Sequence, residues 1–439
     1  MKNEIQKYPA YKDSGVEWLG EIPSHWTTKR IKHLFSEINE RSFDGSEDLL
    51  SVSQYTGVTN KTEKLEDGGM LTNAATLEGY KKVWEGDLVS NIMLAWNGSL
   101  GFSPFNGITS PAYSIYRLKT NDVNRYFHYL LRTELYKSEF KRNSSGVIES
   151  RLRLYTDDFF GIESILPPLP EQTAIAAFLD RKTALIDQAI DIKQKQIELL
   201  KERRQILIHK AVTRGLNPNV KMKDSGVEWI GEIPEGWEVL TLRRITVEHK
   251  QGYYSEKGYD DNGYSLVRIT DLDSEGNIST LMSPFVNPNK KDIQIFKIDK
   301  GDFLFPRTGT IGLLGVAKMD LHAVFASYLI RFRFSKTMHT EFLQNYFISN
   351  VFLNGLKYDL HGGVVQNLHA ENIKNQFIPK PPIHEQILIS ENIKNESLKF
   401  DTAISLKEQE IEKLKEYKAT LINSAVTGKI KVYNDAKQN

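Results

Sequence analysis

Apolar residues recur at coiled-coil spacing in two long segments of the chain. In the first segment they advance by seven, four, seven, three, seven and four residues. These positions are Leu179, Ile186, Ile190, Ile197, Leu200, Leu207 and Ala211. An offset of 214 residues gives a second set, which is Ile393, Phe400, Ile404, Ile411, Leu414, Leu421 and Ala425. A glycine, Gly215 or Gly428, is available to end each segment. The pattern predicts two long helices that pair, because a single apolar stripe is unstable in water.

The chain also repeats short motifs outside these helices. Residues 12–26 share twelve of fifteen positions with residues 223–237, at an offset of 211. Residues 168–172 resemble residues 382–386 at an offset of 214, and each of these segments precedes one helix. Matches that include two tryptophans, two glycines and a proline indicate an internal duplication.

Between these repeated motifs, each half contains runs in which apolar and polar residues alternate as in a strand, for example at residues 265–269 and 329–334. An amphipathic helix is predicted near residues 123–141 in the first half and near 341–356 in the second. The predicted fold class is α+β, with two α/β domains separated by two long antiparallel helices and a pseudo-two-fold duplication. The predicted boundaries are 1–168 for the first domain, 169–214 for the central helix, 215–381 for the second domain and 382–430 for the C-terminal helix.

The order of the elements suggests a measuring function. A helix over residues 171–213 would be ~65 Å long. Two such helices, paired antiparallel, would hold the two domains at a fixed separation, and duplex DNA presents equivalent groove faces every ~34 Å. If both domains read bases, the target is bipartite and its central gap is uninspected. Because the domains differ in sequence, the two half-sites should differ as well.

Composition narrows the class of protein. The 439 residues carry a net charge of +1, which gives a DNA-binding hypothesis no support. The absence of cysteine excludes disulfides and thiolate zinc sites, and it fits a reducing cytoplasm. Residues 1–15 are polar and no long apolar run occurs, so we expect a cytoplasmic protein that does not contact a membrane.

Three motifs resemble those of a known family. They are Trp-Leu-Gly-Glu-Ile-Pro-x-x-Trp at 18–26, Pro-Pro-Leu-Pro-Glu-Gln at 167–172 and Ala-Val-Thr-Gly at 425–428. In this order, and twice over the whole chain, they resemble the specificity subunits of type I restriction-modification enzymes. The second copy departs at 383–384, which is Ile-His, and the first exit reads Thr-Arg-Gly at 213–215. Both departures fall at helix ends rather than on the seam, which is the row of apolar residues at coiled-coil spacing in each long helix.

The resemblance implies a set of partners. Each target recognition domain would read half of a split site in double-stranded DNA. The two central helices would dock two adenine-methyltransferase subunits, and ATP-dependent motor-nuclease subunits would join for cleavage.

Candidate DNA-reading residues come from a shared glycine-containing segment and from scattered arginines. Residues 96–101 match residues 307–312 in their glycines at an offset of 211, while the polar positions differ. Arg307 could bond a guanine edge, Asn97 an adenine edge, and hydroxyls could contact phosphate or base. The predicted DNA-binding residues are Trp96, Asn97, Ser99, Arg151, Arg153, Arg268, Arg307, Thr308 and Thr310. A plain turn between strands explains the glycines equally well.

Two aromatic pairs have different interpretations. Tyr253 and Tyr254 could contact bases, although adjacent tyrosines commonly straddle a strand with one of them buried. Trp18 and Trp229 are predicted to pack in the core or against the helix ends, because identical residues cannot discriminate between two different half-sites.

No catalytic motif is recognisable in the sequence. An Asn-Pro-Pro-Tyr motif, a Gly-x-Gly-x-x-Gly loop, a Gly-x-x-x-x-Gly-Lys loop and a His-Glu-x-x-His helix are all absent. We therefore predict a non-catalytic targeting subunit without cofactor or metal. An assembly scaffold, in which the coiled coil joins two protein-binding modules, is the alternative. A nuclease that acts alone is a third class, and it predicts metal-dependent cleavage by the isolated chain.

Overall fold

The computed structural model describes residues 6–61, 76–255, 258–307, 312–359 and 368–432. The chain forms two compact units. The first unit contains residues 1–193 and 409–439, and the second contains residues 194–408. Each unit therefore combines one globular part with a segment of each long helix.

The first half of the chain contributes twelve strands and five α-helices in the described residues. In chain order they are β1 (Tyr11–Asp13), β2 (Glu21–Pro23), β3 (Thr27–Arg30), α1 (Ile31–Leu34), β4 (Phe35–Ile38), β5 (Leu50–Ser53), β6 (Gly57–Asn60), β7 (Lys81–Val83), β8 (Leu88–Asn91), β9 (Leu100–Phe102), β10 (Gly107–Thr109), β11 (Tyr113–Leu118), α2 (Asn124–Leu130), α3 (Glu134–Arg142), α4 (Thr156–Gly161), β12 (Glu163–Leu166) and α5 (Leu169–Arg214).

The second half follows a similar order. Its elements are β13 (Met222–Asp224), β14 (Glu232–Pro234), β15 (Glu238–Thr241), α6 (Leu242–Ile245), β16 (Thr246–Gln251), β17 (Tyr264–Val267), β18 (Phe285–Val286), α7 (Lys290–Phe296), β19 (Phe303–Pro306), β20 (Gly315–Val316), β21 (Ala323–Phe325), β22 (Leu329–Phe334), α8 (Thr340–Phe347), α9 (Asn350–Asp359), α10 (Ala370–Asn375), β23 (Phe377–Lys380) and α11 (Ile383–Val426).

A four-stranded antiparallel sheet lies at the centre of each globular part. Its order is β4-β11-β8-β9 in the first unit and β16-β22-β19-β20 in the second. The inner strands β8 and β19 are buried at every position; β19 is apolar throughout, whereas β8 ends in the buried polar residues Ser90 and Asn91. Smaller sheets surround these two, and β17 pairs parallel with β21 in the second unit. The matching orders confirm the α+β fold class and place the duplication at the level of structure.

The two long helices run antiparallel where they meet. In the first unit, Lys418 of α11 lies 2.7 Å from Asp187 of α5, and Glu410 lies 2.6 Å from Lys193. Along this contact, the residue numbers on α11 therefore decrease as the residue numbers on α5 increase. In the second unit, the end of α5 packs in one core with the start of α11, through residues such as Ile208 and Ile389.

The predicted seam residues face these packed surfaces. All fourteen are buried or half-buried, and Leu179 and Ala425 are fully buried. Apolar residues on another face of α5, at Leu185 and Ile192, are exposed. Gly215 and Gly428 follow the helix ends with φ of +71° and +74°, the left-handed conformation that a helix stop favours in glycine.

Candidate nucleic-acid interface

The repeated motifs build the joint between each globular part and the helices. The buried carboxylate of Glu171, near the start of α5, accepts hydrogen bonds from Trp26 Nε1 at 3.0 Å and from the Tyr8 hydroxyl at 2.7 Å. Glu385, near the start of α11, accepts a bond from Trp237 Nε1 at 2.9 Å. The tryptophan and the glutamate recur together in the sequence because they bond to each other in the fold.

The glutamine that follows each glutamate makes a second repeated contact. The Gln172 side chain accepts from the Val123 backbone N–H at 2.9 Å and donates to the Pro167 carbonyl at 2.9 Å. Gln386 accepts from the His339 N–H at 2.7 Å and donates to the Pro381 carbonyl at 2.8 Å. Each glutamine thereby fixes the start of α2 or α8 against a long helix, and satisfies polar groups that burial would otherwise leave unpaired.

Trp18 and Trp229 are half-buried, and each packs against the core of its own unit. The Trp18 ring packs edge-on against Tyr136, with centroids 5.1 Å apart. Trp229 contacts Tyr358 at 4.9 Å and Phe377 at 6.3 Å. Packing against the core is one of the two placements that the sequence analysis predicts for these tryptophans.

In both units the backbone has the same arrangement at the end of the central sheet where β8 or β19 terminates, and we call this arrangement the frame. The carbonyl of Ile92, directly after β8, accepts a bond from the Leu154 N–H at 2.9 Å. The carbonyl of Arg307, directly after β19, accepts a bond from the Leu368 N–H at 2.6 Å. Arg307 therefore occupies the position of Ile92, and the frame presents different side chains in the two units.

This geometry corrects the pairing of residues 96–101 with residues 307–312. Gly101 lies opposite Val89 in the β8–β9 register, and Gly315 lies opposite Leu304 in the β19–β20 register. Gly98 and Gly312 have nearly equal φ values, +92° and +91°. The structural offset is therefore 214 rather than 211, and Arg307 is not the counterpart of Trp96. A motif of two glycines is too short to exclude a slip of three residues.

Most polar groups of the first loop are already occupied within the loop. Trp96 Nε1 donates to the Met93 carbonyl at 3.1 Å, and the half-buried ring lies under Lys141 Nζ at 5.3 Å. Ser99 is 4% exposed and donates to Asn97 Oδ1 at 2.9 Å. Ser99 therefore has little surface to offer a ligand.

The predicted arginines of the first unit lie on a neighbouring hairpin. Backbone groups of Ser145 and Arg153 exchange two bonds of 2.9 Å, just before Leu154 joins the sheet end. Arg151 is exposed and Arg153 is half-buried, with Nη1 donating to the Leu152 carbonyl at 2.8 Å. Both arginines are thus brought to the sheet end rather than to the helix joint.

The second unit carries a tyrosine-lined depression of about 440 Å³. Tyr254, Tyr259 and Tyr328 line it and are 72%, 66% and 63% exposed. Arg268 also lines it, and the Arg307 N–H donates to the Tyr328 carbonyl at 2.8 Å. The structure therefore brings Arg268 and Arg307 to the same region, whereas Thr308 and Thr310 lie outside the described residues.

A buried aspartate and an arginine, which the sequence analysis missed, brace both sheets. Asp87 accepts two bonds from Arg117, at 2.7 and 2.8 Å, and Asp302 accepts from Arg333 Nε at 2.7 Å. The hydrogen bond with Asp87 raises the pKa of Arg117. The signal in the sequence is a Gly-Asp pair before each inner strand, at 86–87 and 301–302.

Beneath the β5–β6 turn of the first unit lie a neutral histidine of α2, His128, and a cation just beyond the end of that helix, Arg132. Arg132 donates to the carbonyls of Leu100, Gln54 and Tyr55 at 3.1, 2.7 and 3.1 Å. Burial, followed by the charge of Arg132, lowers the pKa of His128 to about 3. The arrangement fixes a turn whose Tyr55 side chain is 83% exposed.

Within the described ranges, no cluster of three or more histidine, aspartate or glutamate side chains is arranged to hold a metal ion. Across the same residues, no helix combines the length and apolar character needed to cross a bilayer.

Comparison with known proteins gives consistent matches. The family model described as "Type I restriction modification DNA specificity domain" matches residues 23–202 and 234–416. The type I restriction enzyme MjaVIII specificity subunit of Methanocaldococcus jannaschii is 25% identical over 437 residues, which cover 94% of this chain and 95% of that protein. The type I restriction enzyme EcoKI specificity subunit of Escherichia coli K12 is 24% identical over 297 residues, covering 65% and 59%.

A solved structure shares the fold. It was described in work on complex assembly and conformational transition of the type I R-M system. It superposes with a TM-score of 0.65 at 14% identity and covers 92% of this chain and 98% of its own.

Proposed function

This chain belongs to the family of the type I restriction modification DNA specificity domain and is a specificity subunit, and on that basis we propose that it binds an asymmetric, bipartite site in double-stranded DNA. The first unit reads one half-site and the second reads the other. The observation that carries the proposal is the shared frame at the sheet end, where Ile92 and Arg307 hold equivalent backbone positions. One frame with different side chains suits two modules that read different sequences.

In this proposal the chain supplies recognition and its partners supply chemistry. Two adenine-methyltransferase subunits dock on the paired helices, and ATP-dependent motor-nuclease subunits join for cleavage. The chain itself is non-catalytic and acts in the cytoplasm. The antiparallel α5 and α11 would fix the length of the uninspected gap.

The test uses the purified chain together with its methyltransferase partner. A randomised duplex library is offered, bound duplexes are sequenced, and the affinity for the selected duplex is compared with that for a scrambled one. We expect a preference on the order of 10³ or more at physiological salt. Equal affinity for all duplexes would favour the scaffold alternative. Sequencing of methylated adenines in a host that carries both subunits would give the half-sites and the gap together.

A further inference from the structure

The tyrosine-lined depression of the second unit is unusual for a surface. Three tyrosines with more than 60% exposure, Tyr254, Tyr259 and Tyr328, converge on it. Single exposed aromatics are common, whereas a convergent group marks a binding surface. Tyrosine is also enriched where proteins contact ligands, because one ring gives a large contact area at a low cost in conformational entropy.

The depression is built on a rigid wall. The backbone N–H of Tyr253 donates to the Phe325 carbonyl at 2.7 Å, and its ring packs on Phe296 with centroids 5.6 Å apart. The preceding residue must be glycine, since a Cβ on Gly252 would lie 2.0 Å from the Ala326 carbonyl oxygen. Tyr253 therefore anchors the chain from which Tyr254 projects.

Arg268 has a fixed position in the same surface. Its Nη2 donates to the Met282 carbonyl at 3.0 Å and lies 3.4 Å from Asp271. Its Nη1 makes no hydrogen bond to any described residue, and the side chain is 36% exposed. A guanidinium that is held in place and retains free N–H groups is suited to bonding a base edge.

The charge of the depression favours the reading of base edges over the attraction of phosphates. Arg268 is the one cation among the described lining residues, and Asp271 offsets part of its charge. Phosphate-binding surfaces depend on several cations, whereas base edges are read by hydrogen bonds and apolar contacts. Tyrosine offers both, through its hydroxyl and its ring.

The first unit differs from the second at the position of Tyr328. Tyr113 lies opposite Asn91 in the first sheet and Leu329 lies opposite Pro306 in the second, so Ala112 occupies the place of Tyr328. Tyr328 is therefore specific to the second unit, as expected of a residue that discriminates one half-site.

We propose that the depression formed by Tyr254, Tyr259, Tyr328 and Arg268 is the surface through which the second unit reads the bases of its half-site. The inference rests on the proposed function, and it names the residues and the chemistry that determine specificity.

The experiment compares Tyr254→Ala and Tyr328→Ala with the wild-type chain, each in complex with the methyltransferase partner. The probes are the duplex that the wild type selects from a randomised library and two derivatives, each with one half-site scrambled. We expect a roughly ten-fold or larger loss of discrimination at one half-site, the same for both variants, with full discrimination at the other. The slope of log affinity against log salt should stay unchanged, because no phosphate contact is removed.

Tyr358→Ala is the matched control. Tyr358 lies in the same unit and is 61% exposed, but it packs on Trp229 and is not among the residues that line the depression. We expect this variant to discriminate like the wild type. Thermal unfolding of every variant verifies the fold, and exposed positions should cost little stability.

Several outcomes would overturn the inference. Unchanged discrimination, equal loss at both half-sites, or a salt slope reduced by about 0.9 would each exclude base reading by these tyrosines. Loss of methyltransferase binding with intact discrimination would identify the depression as a protein-docking surface instead. A wild-type complex that selects no duplex would refute the proposed function itself, which separates the two failures.

Discussion

The joint between the globular parts and the helices makes a prediction that the duplication allows to be tested within one chain. Glu171 accepts bonds from Trp26 and Tyr8, whose side chains are 0% and 5% exposed. Its Oε1 also lies 2.6 Å from His25 Nε2. Glu385 has Trp237 as its hydrogen-bond partner. The two glutamates occupy equivalent positions but hold different numbers of buried donors.

Glu171→Ala should therefore cost more free energy of unfolding than Glu385→Ala. A buried donor without an acceptor costs about 1–3 kcal/mol. Two such donors, on Trp26 and Tyr8, give about 2–6 kcal/mol for the first variant, and one donor gives about 1–3 kcal/mol for the second. Both variants leave a tryptophan indole N–H without its acceptor, and only Glu171→Ala also leaves the Tyr8 hydroxyl without one.

The assay is hydrogen exchange followed by mass spectrometry, with denaturant unfolding alongside it. Peptides from each unit report local stability separately, since two units need not unfold together. Trp26→Phe combined with Glu171→Ala completes a double-mutant cycle, and we expect a coupling energy of about 0.5–3 kcal/mol. Equal costs for the two alanine variants, or zero coupling, would refute the assignment of the carboxylate as the acceptor for buried donors.

Three further predictions follow from other features. Arg307→Ala should relax reading of one half-site and leave the other intact in the duplex-selection assay, and equal loss at both would exclude a role confined to one unit. His128 binds a proton in the unfolded chain near pH 6.5 but in the folded chain only near pH 3, so it lowers stability as pH falls between these values, by up to about 1.4 kcal/mol per pH unit. His128→Gln should therefore gain stability relative to wild type between pH 6.5 and 4.5 in urea unfolding, and parallel pH curves would contradict this. Inserting one heptad after Ile197 and another after Ile411 should lengthen the gap between the methylated half-sites, while a constant gap would exclude a measuring role for the helices.

The sequence predicts the long helices and the joints well because their information is local or duplicated. The seven-residue spacing needs no knowledge of the partner helix, and Trp26 and Glu171 recur as Trp237 and Glu385. The bond between tryptophan and glutamate is not visible in the sequence, since about 145 residues separate the partners.

The tyrosine-lined depression is harder to predict because its members are distant in sequence and because Ala112 of the first unit takes the place of Tyr328. Tyr254 and Tyr328 come to one surface because the Gly252 N–H donates to the Leu329 carbonyl at 3.0 Å and the Tyr253 N–H donates to the Phe325 carbonyl at 2.7 Å. The slip of three residues in the glycine segment has a similar origin. Strand register, which requires knowledge of both partners, fixes Gly98 against Gly312, while the sequence alone offers several glycines.

The packing of α11 against the first unit has a consequence for synthesis. The Tyr126 hydroxyl donates to the Val426 carbonyl at 3.0 Å, and a Cβ on Gly428 would lie 3.0 Å from the Trp26 ring. The first globular part to leave the ribosome therefore waits for α11 to be translated, a delay on the order of tens of seconds. During that interval the apolar surface around Trp26 lacks its packing partners at the end of α11, so we expect protection of the nascent chain to raise the yield of native protein.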